Sequence, residues 1–271
     1  MNRIDKVFGQ LRQEGKKVLI PYVSCGDPHL KFTEELVLGL AENGADLIEL
    51  GVPYSDPVAD GPTIQKASTR ALAEGVTLEK IFSLVERLRE KTSIPLIMMT
   101  YYNPVYVKGV ENFLKRAGEA GIDGLIIPDL PVEESENLKD VAENYGLNLI
   151  FLVAPTSTPE RIKKIVNMAR GFIYCVSVTG ITGARKELGG ELASFLKVVQ
   201  AHTSLPLAVG FGISGPDMAR KAAGLADGII VGSALIERIE KNIEHNGFNY
   251  GKALEEAITF VGDLKTAITI Y

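Results

Sequence analysis

Residues 47–62 read LIELGVPYSDPVADGP. An apolar run carries one acid, Glu49, in its middle. A second acid, Asp60, closes a loop fenced by Pro53, Pro57 and Pro62. The run DLIELGV (46–52) is short, aliphatic and bounded by turn formers, which is the pattern of a buried strand. Strand side chains alternate between faces, so Ile48, Leu50 and Val52 share one face and Leu47, Glu49 and Gly51 the other. A lone buried carboxylate is costly. An acid in this setting needs either a cationic partner or a chemical task.

Seven further runs of the same kind lie at 18–26, 95–102, 124–129, 149–155, 172–178, 206–212 and 228–234. Between them run amphipathic helical patterns such as KFTEELVLGLAENG, ENLKDVAENYG and GELASFLKVVQAH. Several end on glycine, at Gly44, Gly121 and Gly146, where a left-handed C-cap belongs. Near-continuous apolar strands alternating with helices mean a parallel sheet covered by helices. Self-similarity is weak and irregular: GADLIEL echoes GIDGLII and LADGIIV, and TSIPLIMMT echoes TSLPLAVGF. Eight such units in 271 residues predict an α/β fold, a (β/α)8 TIM barrel forming a single domain over 1–271. An extra N-terminal helix over 3–15 is expected to plug the barrel floor, and two inserted helices fit within 62–92. The alternative is a doubly wound open sheet, whose glycine-rich dinucleotide turn is missing from SCGDPHL after the first strand.

The chain is 46% hydrophobic with net charge -5, which argues against nucleic acid or an anionic membrane as the main partner. Cys25 and Cys175 both fall in apolar strand runs, so no disulfide framework is implied and a reducing compartment fits. The first residues carry no apolar core of signal-peptide length, and nothing approaches a membrane span. The expectation is a soluble cytoplasmic protein.

Glu49 would face the barrel axis near the C-terminal end of the second strand, where barrel enzymes keep their chemistry. Apolar surroundings push a carboxyl pKa upward, toward use as proton donor and acceptor. The rival reading is a structural ion pair, but none of the eight runs contains Arg or Lys. Asp60 has a rival reading as the N-cap of the helix that begins GPTIQKAS. Asp56 reads as a solvated or interface residue. The prolines restrict the loop and could hold a carboxylate over the barrel mouth.

A second signal lies in VGFGISGPDMA (209–219) and VGSALIERI (231–239), after the seventh and eighth strands. Gly212 and Gly232 leave room for a close backbone approach, and Ser214 and Ser233 are placed at helix N-termini that favour an anion. This is the usual phosphate site of such barrels. Ser214 with Asp217 also reads as a capping box. The stretch SVTGITGARKELGG (177–190) fits a lid beside that site, or an ordinary surface loop. No strand run offers a Schiff-base lysine. His29, His202 and His245 are the only histidines and none lies in a strand, so no metal site is expected. No Ser-His-Asp or Cys-His grouping can be assembled from strand ends. What remains is carboxylate acid–base chemistry on a phosphorylated substrate that supplies its own electron sink.

Taken together, LIELGVPYSDPVADGPTIQKA, GLIIPDLPVEES, VTGITGAR and GFGIS resemble the tryptophan synthase alpha chain family, over nearly the whole chain. The resemblance implies a lyase of tryptophan biosynthesis that cleaves indole-3-glycerol phosphate to indole and glyceraldehyde 3-phosphate. It implies no cofactor in this chain and a pyridoxal-phosphate-dependent beta chain as partner, in an alpha2-beta2 heterotetramer. By resemblance, Glu49 is the acid–base residue and Asp60 the carboxylate that binds the indole N–H. Thr182 is the lid residue that meets Asp60. Tyr22, Ile64, Tyr174 and Phe211 line the substrate pocket, and Gly183, Gly212, Ile213, Gly232 and Ser233 hold the phosphate. Tyr22 stands where many members carry Phe, and Val178 where some carry Arg. Two rivals remain open: another phosphate-binding barrel isomerase or lyase, and a non-catalytic barrel subunit that activates a partner. The loops after strands two, three and four put Pro53, Pro57, Tyr102, Pro104, Val105, Tyr106, Leu130 and Pro131 where exposure is expected. That suits a docking face for the beta chain; the alternative is that they pack together as loop cores.

Overall fold

The structure, a computed structural model, describes residues 2–176, 188–210, 212–243 and 248–269. Its strands are β1 (Val18–Ser24), β2 (Ile48–Gly51), β3 (Leu96–Met99), β4 (Gly124–Ile126), β5 (Asn148–Val153), β6 (Ile173–Val176), β7 (Leu207–Gly210) and β8 (Gly228–Val231). Each pairs in parallel with the next, and β8 pairs with β1, closing a barrel. The helices are α1 (Arg3–Gln13), α2 (Leu30–Glu42), α3 (Pro62–Ala73), α4 (Leu78–Arg89), α5 (Tyr102–Lys108), α6 (Val110–Ala120), α7 (Glu136–Asn144), α8 (Pro159–Met168), α9 (Leu188–Gln200), α10 (Pro216–Ala223), α11 (Ser233–Glu240) and α12 (Tyr250–Thr269). The expected (β/α)8 barrel is therefore the fold, with α1 ahead of the first strand and α3 and α4 both between β2 and β3.

The alternation read in 46–52 holds. Ile48, Leu50 and Val52 pack in the layer between barrel and helices. Leu47 joins Val18, Ile20, Ile97, Ile126, Ile150, Phe172, Ala208 and Ile230 inside the barrel. Each of these aliphatic and aromatic side chains larger than alanine, fully buried, contributes roughly 1.5–3 kcal/mol. Helix α1 closes the floor as expected: Ile4 and Phe8 enter the same cluster, and the Phe8 ring lies 5.3 Å from that of Phe172. Gly44, Gly121 and Gly146 all take positive φ, as helix ends on glycine require. The strands are shorter than the apolar runs, mostly at their C-terminal ends. There the chain leaves the ladder to build the loops of the barrel mouth.

The echo among GADLIEL, GIDGLII and LADGIIV has a structural cause. Asp46, Asp123 and Asp227 each stand just before an even-numbered strand and tie it to the strand before. Asp46 N–H donates to Leu19 O at 2.9 Å while Leu19 N–H donates to the Asp46 carboxylate at 2.7 Å. Asp123 closes the same two-bond ring with Leu96, at 2.9 and 2.9 Å. Asp227 closes it with Leu207, also at 2.9 and 2.9 Å. Each carboxylate thus satisfies an N–H at or next to the start of an odd-numbered strand, at the floor of the barrel.

Candidate active site at the barrel mouth

Glu49 lies in β2, with Tyr22 of β1 and Ile97 of β3 as its register partners. It is 1% exposed, and its Oε2 is buried without a hydrogen-bond partner among the described residues. Burial, reinforced by the negative charge of Asp60, pushes its carboxyl up to about 8. No cation among the described residues pairs with it, so the structural ion-pair reading finds no support there, and burial favours the protonated acid. Ser24 is two residues beyond Tyr22 and hence on the same strand face. Its Oγ is likewise buried without a partner among the described residues.

Asp60 ends the loop after β2 and is half-buried. It does not cap α3. The N-cap is Gly61, with no side-chain cap bond, and Pro62 occupies the first helical turn. A proline there has no N–H to satisfy, so the Asp60 carboxylate is left for another purpose. Burial raises its pKa, and a hydrogen bond from the Tyr101 phenol works in the opposite direction. Its main-chain oxygen accepts from Gln65 Nε2 at 2.8 Å. Helix α3, which continues from this loop, is anchored below by Arg70. The guanidinium grips buried Asp27 with Nε at 2.7 Å and a second N–H at 2.9 Å, and reaches Glu240 of α11 at 3.1 Å.

Two tyrosines flank Glu49, and each needs a glycine on the next strand. A Cβ on Gly51 would lie 2.0 Å from the Tyr22 hydroxyl, and one on Gly210 would lie 2.5 Å from the Tyr174 hydroxyl. Both rings therefore lie across the neighbouring strand, closing the interior above its apolar floor. Burial raises both phenols well above their ordinary range, and the charge of Glu49 adds to the effect in each; Asp60 does so too at Tyr22. Ile64 is half-buried in the first turns of α3 and packs on the core. Sequence reasoning brought Tyr22, Glu49, Asp60 and Tyr174 to one place. It missed Tyr101 and Ser24. The signal for Tyr101 was parity, since Ile97, Met99 and Tyr101 share one strand face.

At the glycine-rich end, Gly212 takes φ +77 and is exposed, while Ile213 is buried. Gly232 is the N-cap of α11 and lies beside Tyr22: a Cβ there would be 3.5 Å from the Tyr22 Cβ. Ser233 opens α11 and is exposed. The expected capping box is absent. Gly215 is the N-cap of α10, the Ser214 hydroxyl contacts Met218 Sδ at 3.3 Å, and Asp217 pairs with Arg220 at 3.5 Å. Pro216 at the first helical position displaces the helix start by one residue from Ser214. Thr182, Gly183, Val178 and Phe211 lie outside the described residues. Among the described residues no three or more His, Cys, Asp or Glu side chains form a group that could hold a metal ion.

The apolar face expected on the loops is present but differently composed. Pro53, Val105 and Leu130 are buried, and Pro57, Tyr102 and Pro104 half-buried, so these form loop cores. The exposed residues on these loops include Val58 (83%), Tyr106 (69%) and Val107 (77%), and Pro131 on the loop after β4.

The model of the tryptophan synthase alpha chain family matches residues 8–269. The chain is 53% identical to the tryptophan synthase alpha chain of Caldanaerobacter subterraneus subsp. tengcongensis over 268 residues, covering 99% of this chain and 100% of that one. To that of Carboxydothermus hydrogenoformans it is 51% identical over 266 residues, covering 98% and 99%. The crystal structure of tryptophan synthase subunit alpha from Legionella pneumophila str. Paris matches with a TM-score of 0.91 at 39% identity, covering 99% of this chain and 98% of that one. A closed barrel, an unpaired acid in its second strand and likeness at this level over the full length lead to one conclusion: the chain belongs to the tryptophan synthase alpha chain family.

Proposed function

We propose that Glu49 and Asp60 carry out the lyase reaction of this family at the barrel mouth, cleaving indole-3-glycerol phosphate to indole and glyceraldehyde 3-phosphate. As a tryptophan synthase alpha chain, the protein is a lyase of tryptophan biosynthesis. The observation that carries the residue assignment is the buried, unpartnered Oε2 of Glu49, on a carboxyl pushed up to about 8. Such a group is protonated at neutral pH yet close to its titration point, which suits an acid that must also act as base.

Glu49 gives its proton to C3 of the indole ring, and positive charge develops toward the ring nitrogen. Asp60, ionised, accepts a hydrogen bond from the ring N–H and stabilises that charge. Glu49, now a carboxylate, takes the proton of the adjacent glycerol hydroxyl. The carbon–carbon bond then breaks, its electrons return to the ring, and the hydroxyl carbon becomes the aldehyde. Tyr22, Tyr174 and Ile64 enclose the ring, and Phe211 joins them by resemblance. Backbone at Gly212, Ile213, Gly232 and Ser233 faces the phosphate, favoured by the dipole of α11, and Gly183 and Thr182 complete the set by resemblance. This chemistry asks for no cofactor in this chain.

Indole is small and apolar, and escapes if released to bulk water. The reading therefore includes a beta chain, carrying pyridoxal phosphate, that receives it in an alpha2-beta2 assembly. Val58, Tyr106 and Val107 offer that chain an apolar face on the loops after β2 and β3. The chain would act as one barrel domain in the cytoplasm; no helix among the described residues is long and apolar enough to cross a membrane. Indole release by Asp60→Asn tests the pairing of the two acids. Activity should fall by about a hundredfold or more while the melting temperature stays put, because Gly61 and not Asp60 caps α3. Loss of stability with activity per folded molecule retained would overturn the assignment.

A further inference from the structure

We infer that Tyr101 is a positioning residue for this reaction: its phenol fastens both the backbone and the carboxylate of the Asp60 segment to the end of β3. The inference rests on the reading of Asp60 given above. Tyr101 is 4% exposed and follows the last residues of β3. It occupies the N-cap position of α5 but makes no side-chain cap bond there, so its side chain is directed elsewhere. Its ring stacks on that of Tyr54, with centroids 5.0 Å apart and planes 25° from parallel. Its hydroxyl oxygen accepts the Ala59 N–H at 3.0 Å. That bond sets the phenol beside the next residue, where it lowers the Asp60 carboxyl's pKa and Asp60 raises its own; we assign its O–H proton to that carboxylate.

A phenol has one proton to donate. With a lone pair engaged by Ala59, the O–H direction is set, and the carboxylate that accepts it is oriented in turn. The loop from β2 to α3 is thus held at three successive places. Tyr54 is clamped by stacking, Ala59 by its N–H, and Asp60 by its side chain, all on Tyr101, two residues past the end of β3. Prolines 53 and 57 stiffen the same loop. The charged and titratable groups facing this cluster are Glu49 from β2, Tyr22 from β1 and Asp129 from the end of β4, next to Tyr101. Burial drives Asp60 toward its neutral form, and the bond from Tyr101 opposes that drift. A carboxylate that must stay charged beside a protonated Glu49 therefore depends on this hydroxyl.

The test is Tyr101→Phe, which keeps the ring and the stack and removes one oxygen. Indole release should lose about ten- to a hundredfold in kcat, as expected for one hydrogen bond to a charged group, with KM changed little. The acid limb of the kcat/KM profile should move to higher pH, because Asp60 protonates more readily without its donor. In an Asp60→Asn background the same substitution should cost less than about twofold. Tyr54→Phe, which preserves the stack and touches no carboxylate, should behave as the parent. If Asp60→Asn is inactive but Tyr101→Phe keeps the parental kcat and acid limb, the positioning role is overturned alone. Equal losses from Tyr101→Phe in both backgrounds would likewise overturn it. An Asp60→Asn chain with parental activity would overturn the reading of Asp60 and this inference together.

Discussion

At Glu49, burial sets both reactivity and a stability cost. The unfolded carboxyl titrates near 4.5 and the folded one near 8. Between those values the folded chain keeps a proton that the unfolded chain has lost. Stability therefore declines as pH rises through that window, and the decline is complete above 8. Glu49→Gln removes the titration. Its melting temperature should be near the parent's at pH 5 and clearly above it at pH 8, an advantage that grows by about 4 kcal/mol at ~1.4 kcal/mol per unit. Thermal melts of both chains at the two pH values check this, and a constant difference would contradict a neutral, buried Glu49. The burial of this acid was legible in the sequence because an acid amid Leu47, Ile48 and Leu50 conflicts with its surroundings. Tyr101 raised no such conflict: a tyrosine at a strand end is ordinary, and its task appears only when the β2 loop folds over it.

At the scale of elements, strand order and helix placement followed from apolar periodicity, which is a local property. Strand ends did not, because backbone pairing stops where a neighbouring strand stops, and that depends on residues far away in sequence. Helix starts failed for a similar reason at Asp60 and Ser214: a cap-forming side chain was present, but Pro62 and Pro216 moved the start to the glycine between. The repeated aspartates were visible as an echo, while their bonds to Leu19, Leu96 and Leu207 needed the closed barrel. Those bonds carry a graded expectation. Asp227→Ala leaves one strand N–H unsatisfied, costing roughly 1–3 kcal/mol. Asp123→Ala also takes from Arg89 the carboxylate it bonds at 2.7 Å, leaving a guanidinium that burial pushes down to about 10 with only backbone carbonyls. Its cost should be larger, about 3–5 kcal/mol. Chemical denaturation of the two variants compares them, and equal losses would show that Arg89 finds other solvation.

For the whole molecule, the barrel divides labour between its ends. The floor is sealed by α1 and tied by aspartates, and at the mouth Glu49 has no cationic partner among the described residues. The mouth's rim also bears Val58, Tyr106 and Val107, close in sequence to Asp60 and Tyr101, so a partner seated there would act on the segment that carries the chemistry. Val58→Asp with Val107→Glu should weaken beta-chain binding by about tenfold or more without lowering the melting temperature; unchanged affinity in titration would move the docking face elsewhere. The measurement that bears most directly on the central claim is indole release from indole-3-glycerol phosphate by Glu49→Gln, alongside binding of an unreactive substrate analogue to the same variant. The expected result is a loss of about a hundredfold or more in turnover with analogue affinity retained, because shape is kept and proton transfer is not. A variant that keeps a tenth or more of parental turnover would contradict Glu49 as the residue that moves the protons.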